Sequence, residues 1–170
     1  MLRKMRTYDE LLWASTDVQS DSVTDAGSIA FGRLFGYLSG ANENSQTIDM
    51  TSPVLNKISP GSGPNCNNTF TVSFFVPYKY QTAEGPPKPT ADDVYIQKIK
   101  ISDVAVSVFG GFAEDSDVVS TASKLYSDID DSKDIDADTS VEDVYWFAAY
   151  DSPYTLRNRH NEDWINVVDL

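Results

Sequence analysis

Two residue types that build metal centres, nucleophilic sites and disulfides are nearly missing from this chain: its 170 residues contain one histidine, His160, and one cysteine, Cys66. A single cysteine forms no intramolecular disulfide, and one histidine with one cysteine does not make up a zinc set. Gly61-Ser62-Gly63 lacks the spacing of a nucleophile elbow and reads as a turn, so no Ser-His-Asp set is expected and the chain reads as a binder, not an enzyme. Positive charge is scarce as well. With 13 basic against 26 acidic residues and a formal charge of −13, the chain lacks the basic face that releases counterions from phosphates. Nucleic acid is therefore excluded as a partner, and docking on anionic membranes is disfavoured.

Long apolar runs are also lacking. Residues 1–16 hold no continuous apolar run of about seven residues, and no segment approaches the ~20 that cross a bilayer. The expectation is a soluble cytoplasmic protein without membrane insertion, in a reducing compartment that suits Cys66. A chain of 170 residues fits one domain and buries roughly two thirds of its unfolded surface, enough for a ligand groove.

What is present is mostly periodic. Phe70, Val72, Phe74 and Val76 alternate with Thr71, Ser73 and Phe75, which places one apolar row on a buried sheet face. Residues 11–18, 47–58, 94–99, 104–112, 144–150 and 164–168 read as strands from their β-branched and aromatic content, with Pro53 at an edge or strand entry. Helical spacing takes over in two places. Ala26, Ile29, Ala30, Leu34 and Leu38 predict a helix over 24–39, capped by Thr24 and stopped at Gly40. Val118, Ala122, Leu125 and Ile129 predict a second, beginning near Asp115. Each helix is flanked by strands, so the chain reads as one unit used twice, over about 5–80 and 90–170, with Pro86-Pro87-Lys88-Pro89 as a stiff connector. The expected class is α+β: eight antiparallel strands in a distorted barrel or paired sheets, flanked by two helices.

Short motifs sharpen this reading. Residues 42–54, N-E-N-S-Q-T-I-D-M-T-S-P-V, follow the helix-stop Gly40. Four further strings come in order: Pro60-Gly61-Ser62-Gly63-Pro64, Phe109-Gly110-Gly111-Phe112-Ala113, Tyr150-Asp151-Ser152-Pro153 and Arg159-His160-Asn161-Glu162-Asp163-Trp164. Together they resemble the SOUL/heme-binding protein family over nearly the whole chain. The resemblance implies the same α+β architecture and a soluble heme or tetrapyrrole binder, a carrier or buffer that holds the macrocycle in an apolar groove. The alternative, as proposed for some relatives, is a protein-interaction role through an exposed helix face, without physiological heme binding.

A tetrapyrrole needs an apolar wall, partners for its propionates and, optionally, an axial iron ligand. Phe31, Phe35 and Leu38 form a stripe offset from the Ala26, Ala30, Leu34 row, so the first helix is apolar on more than its core-facing side. The resemblance aligns Phe31, Leu34, Phe35 and Leu38 with groove positions; a wide core face is the other reading. Arg33, Arg157 and Arg159 are candidates for the propionates. Trp146 and Phe147 either close the opposite side of the groove or serve as ordinary packing. Some family members carry an axial histidine where this chain has Thr7, a poor iron ligand; His160 lies in a charged loop, and Met50 is expected to be buried within its motif. Two further departures are Ala149 in place of the usual glycine and Asp163 in place of an apolar residue, which puts a charge at a strand entry.

The acidic run 128–138 imitates a calcium loop, with Asp128, Asp130, Asp134 and Asp136 at positions 1, 3, 7 and 9. Lys133 replaces the turn glycine and Thr139 the bidentate glutamate, so a solvated, mobile loop without calcium is expected. Calorimetric titration with calcium should give no affinity tighter than about millimolar, the weak end of calcium modules.

Overall fold

Period-two burial is what the strands obey. Phe70, Val72 and Phe74 are each at 1 % exposure on one face of their strand, while the intervening Thr71 and Ser73 turn to the other. The computed structural model describes residues 5–61, 67–132, 134–138, 144–152 and 154–169. The readings placed on Cys66, on Ser62-Gly63-Pro64 and on Lys133, Thr139 and Pro153 lie outside the described residues.

The elements run β1 (Met5–Arg6), β2 (Leu11–Ser20), α1 (Val23–Leu38), β3 (Val54–Ser59), β4 (Asn68–Phe75), a 3-10 turn (Tyr78–Tyr80), β5 (Tyr95–Ile99), β6 (Val104–Phe109), α2 (Asp115–Asp130), β7 (Ile135–Ala137), β8 (Tyr145–Ala149) and β9 (Asn161–Asp169). One antiparallel sheet takes the order β1-β6-β9-β8-β3-β4-β2-β5, with β7 added on β9. The order is symmetric about the β8–β3 junction: β6-β9-β8 on one side mirrors β2-β4-β3 on the other. Each half exchanges an edge strand with its neighbour, since β1 lies on β6 and β5 on β2.

The sheet has two differently furnished faces. α1 covers Ala14, Val18, Phe70, Val72 and Phe74, while α2 sets Leu125 and Ile129 on Ala105, Ile165 and Val167. The other face gathers Trp13, Leu55, Ile99, Val104, Val106, Trp146 and Trp164. That cluster joins β5 to β6 and β9 from opposite ends of the strand order, so the sheet curls towards a barrel without closing.

Among the described residues there are nine strands where eight are expected, because Ile135, at 4 % exposure, draws part of the acidic run onto β9 as β7. Residues 128–130 are therefore the end of α2 and 135–137 a paired strand, so these parts of the run are not the loop expected. Residues 47–53 do not extend β3. Their polar groups strap the chain across instead: Ile48 N–H donates to the Leu38 carbonyl at 2.8 Å, and Thr51 Oγ1 to the Phe75 carbonyl at 2.5 Å. Pro53 precedes the first residue of β3, as expected at a strand entry. Met50, outside any strand, is 44 % exposed instead of buried.

Helix ends also differ in detail. Ser22, not Thr24, caps α1, accepting from Asp25 N–H at 3.1 Å, while Thr24 bonds Asp115 of α2 through both its N–H and its hydroxyl. Beyond α1, Gly40 takes a φ of +118°, a value costly for any residue with a side chain. The buried Asn42 then closes the turn, donating to the Tyr37 and Gln46 carbonyls and accepting from Gln46 N–H. The proline connector is pinned to α1 by Tyr37, whose hydroxyl donates to the Pro87 carbonyl at 2.8 Å.

Asp163 lies inside β9, not at its entry. It is 0 % exposed, and neither carboxylate oxygen has a hydrogen-bond partner among the described residues. Burial pushes its pKa up to about 8, so it stays protonated near neutrality instead of placing a charge there. The unfolded group titrates near 3.8. Between those values the folded chain keeps a proton that the unfolded chain has released, so stability falls as pH rises, by about 1.4 kcal/mol per pH unit at most. Asp163→Asn should therefore be more stable than the parent at pH 7, by up to about 4 kcal/mol, with the gap shrinking towards pH 4. Urea denaturation at pH 4.5 and 7.5 checks this; parallel shifts at both values would refute it.

Candidate functional site

Helix α1 presents an aromatic ring, Phe35, to solvent. At 100° per residue, Phe31, Phe35, Ser28, Gly32, Gly36 and Ile29 fall within about 160° of arc. Phe35 and Ile29 are each 49 % exposed, and a Cβ built on Gly32 or Gly36 would meet nothing within 4 Å. Phe31 and Phe35 stack with centroids 5.5 Å apart, and Phe31 in turn stands edge-on to Phe74 at 5.7 Å. Between residues 28 and 36 this face carries no charge. Leu34 and Leu38 point the other way into the core, at 0 % and 5 % exposure, and form the helix's footing. Arg33 bounds the far edge of the face, paired with Asp93 at 2.8 Å and donating to the Asp17 carbonyl and Thr16 hydroxyl.

Beside α1, partly buried Val54, Phe109, Ala113, Tyr145 and Ala149 ring the same core cluster. Phe147 belongs to it and stacks with Phe109 at 6.1 Å. Trp146, one residue earlier on β8, faces the opposite side of the sheet, where its indole N–H donates to Asn166. The two rings therefore do not share a groove, a consequence of strand alternation.

The connection from β8 to β9 is built on Arg159. Its guanidinium donates to the carbonyls of Ser152, Thr155 and Asp151 and lies 4.5 Å from the Phe112 ring centroid. Arg159 thus holds the loop together. Arg157 is exposed and makes no hydrogen bond or ion pair among the described residues.

The proposed iron ligands are engaged elsewhere. Thr7 is exposed, with its hydroxyl bonded to Asp103 in the turn between β5 and β6. His160 Nε2 lies 2.7 Å from Glu162 Oε1. No group of three or more His, Cys, Asp or Glu converges among the described residues to hold a metal ion.

Glu162 was not singled out as a site residue from the sequence, yet among the described residues it is a buried side chain with five donors around it. At 1 % exposure it receives Arg6 through two nitrogens at 2.6 and 2.8 Å, Trp164 Nε1 at 2.8 Å and Tyr150 hydroxyl at 3.0 Å. Burial would raise its pKa, but the bonds from Arg6, His160, Trp164 and Tyr150 outweigh burial and hold it down to about 2. The signal was available: Glu162 and Trp164 stand two apart on one strand and so share a face.

These features define a class: a curled antiparallel sheet with two helices on one side, of which one bears an exposed aromatic face. Residues 3–166 match the family model described as SOUL heme-binding protein, and the chain belongs to that family. Human Heme-binding protein 2 is 36 % identical over 166 residues, covering 95 % of this chain and 76 % of that protein. Xenopus tropicalis Heme-binding protein 1 is 32 % identical over 159 residues, covering 94 % and 80 %. The C-terminal domain of EcmrR shares the fold alone, with a TM-score of 0.73 at 9 % identity over 98 % of this chain and 97 % of that one. No helix among the described residues is long and apolar enough to cross a membrane.

Because the folded pKa of Glu162 lies below its unfolded value of 4.5, its contribution is fully present above about pH 5 and is lost as pH falls towards 2. Glu162→Gln should cost about 3–5 kcal/mol at pH 7, since it leaves Arg6 without its counter-charge, and should flatten the acid limb of stability. Chemical denaturation of both proteins between pH 2.5 and 7 reads both effects.

Proposed function

We propose that this protein is a soluble intracellular tetrapyrrole carrier or buffer, acting as one unit of two related halves. The macrocycle lies flat on the exposed face of α1. Phe31 and Phe35 supply ring contacts, while Gly32 and Gly36 let a planar ligand approach the helix backbone closely. Arg157, uncommitted to any partner among the described residues, receives a propionate by paired hydrogen bonds. The observation that carries this reading is the half-exposed Phe35, stacked on the partly buried Phe31, beside two glycines with open space above them. Membership of a heme-binding family supports the ligand class. Leu34 and Leu38 serve the site as its base, Arg33 and Arg159 by fixing its borders, and Phe147 by supporting the neighbouring floor.

Iron is not needed for this mode of binding. With Thr7 tied to Asp103 and His160 to Glu162, contact area and propionate pairing account for the affinity, so heme and iron-free protoporphyrin are held alike. A second reading, in which this apolar face or the exposed Tyr154 and Leu156 engage a protein partner, is favoured by the 90 % and 77 % exposure of those two side chains.

Hemin titration followed by the Soret band and tryptophan fluorescence should saturate at one per chain, with protoporphyrin within about threefold in affinity, a gap of less than 1 kcal/mol. Phe35→Ala should weaken both ligands at least about tenfold while costing under about 1 kcal/mol of stability, because half of the ring is already in water. A loss of ~3–5 kcal/mol with unchanged affinity of the folded fraction would make Phe35 a core residue, and absence of any saturable shift would leave the protein-interaction reading.

A further inference from the structure

The face of the sheet away from both helices opens at one end into a cavity of about 540 Å³. That lies within the roughly 300–1,000 Å³ of small-molecule sites. Strand alternation furnishes it: Tyr95 and Gln97 of β5, Asp17 of β2, Lys57 of β3 and Trp146 of β8 all point to this side. Its apolar wall is continuous with the three-tryptophan cluster, and its mouth is polar.

The charges at this mouth are unbalanced. Asp17 is the one carboxylate among the lining residues, and it is filled by two hydroxyls, from Thr71 at 2.6 Å and Tyr95 at 3.0 Å. Against it stand three lysines. Lys98 is paired with Glu10 at 3.4 Å, whereas Lys57 and Lys100 have no ion pair among the described residues. Lys57 is half-buried, with its ammonium 6.0 Å from the centroid of the Trp146 ring, a contact at the outer limit of cation–π attraction. An ammonium that has no counter-ion among the described residues favours an anion beside it. Among the described lining residues positive charge thus exceeds negative, in a chain of formal charge −13. Gln97, also lining the cavity, donates through its amide nitrogen to Ser15, which shares a hydrogen bond with Ser73, and its side-chain carbonyl has no partner among the described residues.

We propose that this cavity is a second ligand site, on the opposite face of the sheet from α1, for a small planar organic anion: an aromatic ring bearing one carboxylate or one phosphate. Lys57 and Lys100 bind the anionic group, the Trp146 indole packs against the ring, and Gln97 accepts from a ring N–H or O–H. The tetrapyrrole reading is not needed for this site, and the two fail separately.

The full chain is titrated with 2-naphthoate and, separately, 1-naphthyl phosphate, with 2-naphthamide as the uncharged match. Calorimetry is paired with NMR of the tryptophan indole N–H signals, assigned through Trp146→Phe. At least one anion should bind with a millimolar or tighter constant, shift the Trp146 signal most, and be weakened at least about tenfold in both Lys57→Gln and Lys100→Gln. The amide should bind at least about tenfold more weakly, and the tighter anion tells carboxylate from phosphate. Hemin binding by Lys57→Gln should match the parent. The proposal is overturned if neither anion binds at about 5 mM, if the amide binds as tightly, or if both lysine variants keep their affinity within about twofold.

Discussion

The pair that fastens the first described strand to the last is Arg6 with Glu162. Two short charge-assisted bonds place β1 against β6, and they bring Tyr8 to stack on Trp164 at 5.0 Å. Because β1 is an edge strand of only two residues, its ladder to β6 supplies little by itself. The carboxylate also collects Tyr150 and His160, which begin and end the segment between β8 and β9. One buried anion therefore fixes the curl of the sheet and the take-off points of the loop that presents Arg157. Removing water from such a group is costly, and it persists because five donors replace the water.

Much of this was legible from periodicity. The row of Phe70, Val72 and Phe74 defined its strand and its buried face, and the spacing of Val118, Ala122, Leu125 and Ile129 gave α2 its buried side. The stripe of Phe31, Phe35 and Leu38 did not hold as one face: Phe35 stands half in solvent, Phe31 is partly buried against the core and Leu38 lies within it. Where the reading failed, polar character had been taken for exposure. The string around Glu162 looks like a charged loop, yet continuing the strand upstream of Trp164 by twos puts Glu162 inside. The acidic run around 130 hid Ile129 and Ile135, whose burial decides the local structure. Met50 failed for the opposite reason: an apolar residue was assigned to a strand that side-chain and backbone bonds to neighbouring carbonyls prevent from forming.

Arginine shows most clearly what a sequence leaves open. Arg33, Arg157 and Arg159 were equivalent candidates by composition. The fold distinguishes them by what else is in reach: Asp93 and β2 for Arg33, three loop carbonyls for Arg159, and none among the described residues for Arg157. A guanidinium that satisfies backbone carbonyls is held in one orientation and has fewer donors left for a ligand. Arg159 is thereby committed to its own loop by carbonyls four to eight residues away, whereas Arg33 is committed by Asp93, distant in the chain.

The two faces of the sheet answer to different physics. On the helix side, apolar area governs, and Ile29 and Phe35 of α1 stand half in solvent. On the opposite face, tryptophans fill the waist of the curled sheet and close its depth, leaving a polar mouth where hydroxyls, amides and lysines gather. Alternation makes this separation possible, since Trp146 and Phe147 are adjacent in sequence yet serve opposite faces. A substitution on one face therefore reaches the other only through the shared backbone, and Asp163 marks where that independence is weakest. Its buried carboxyl lies on the helix side of β9, between Glu162 and Trp164 on the opposite face, so ionising it strains the strand that carries the Glu162 network.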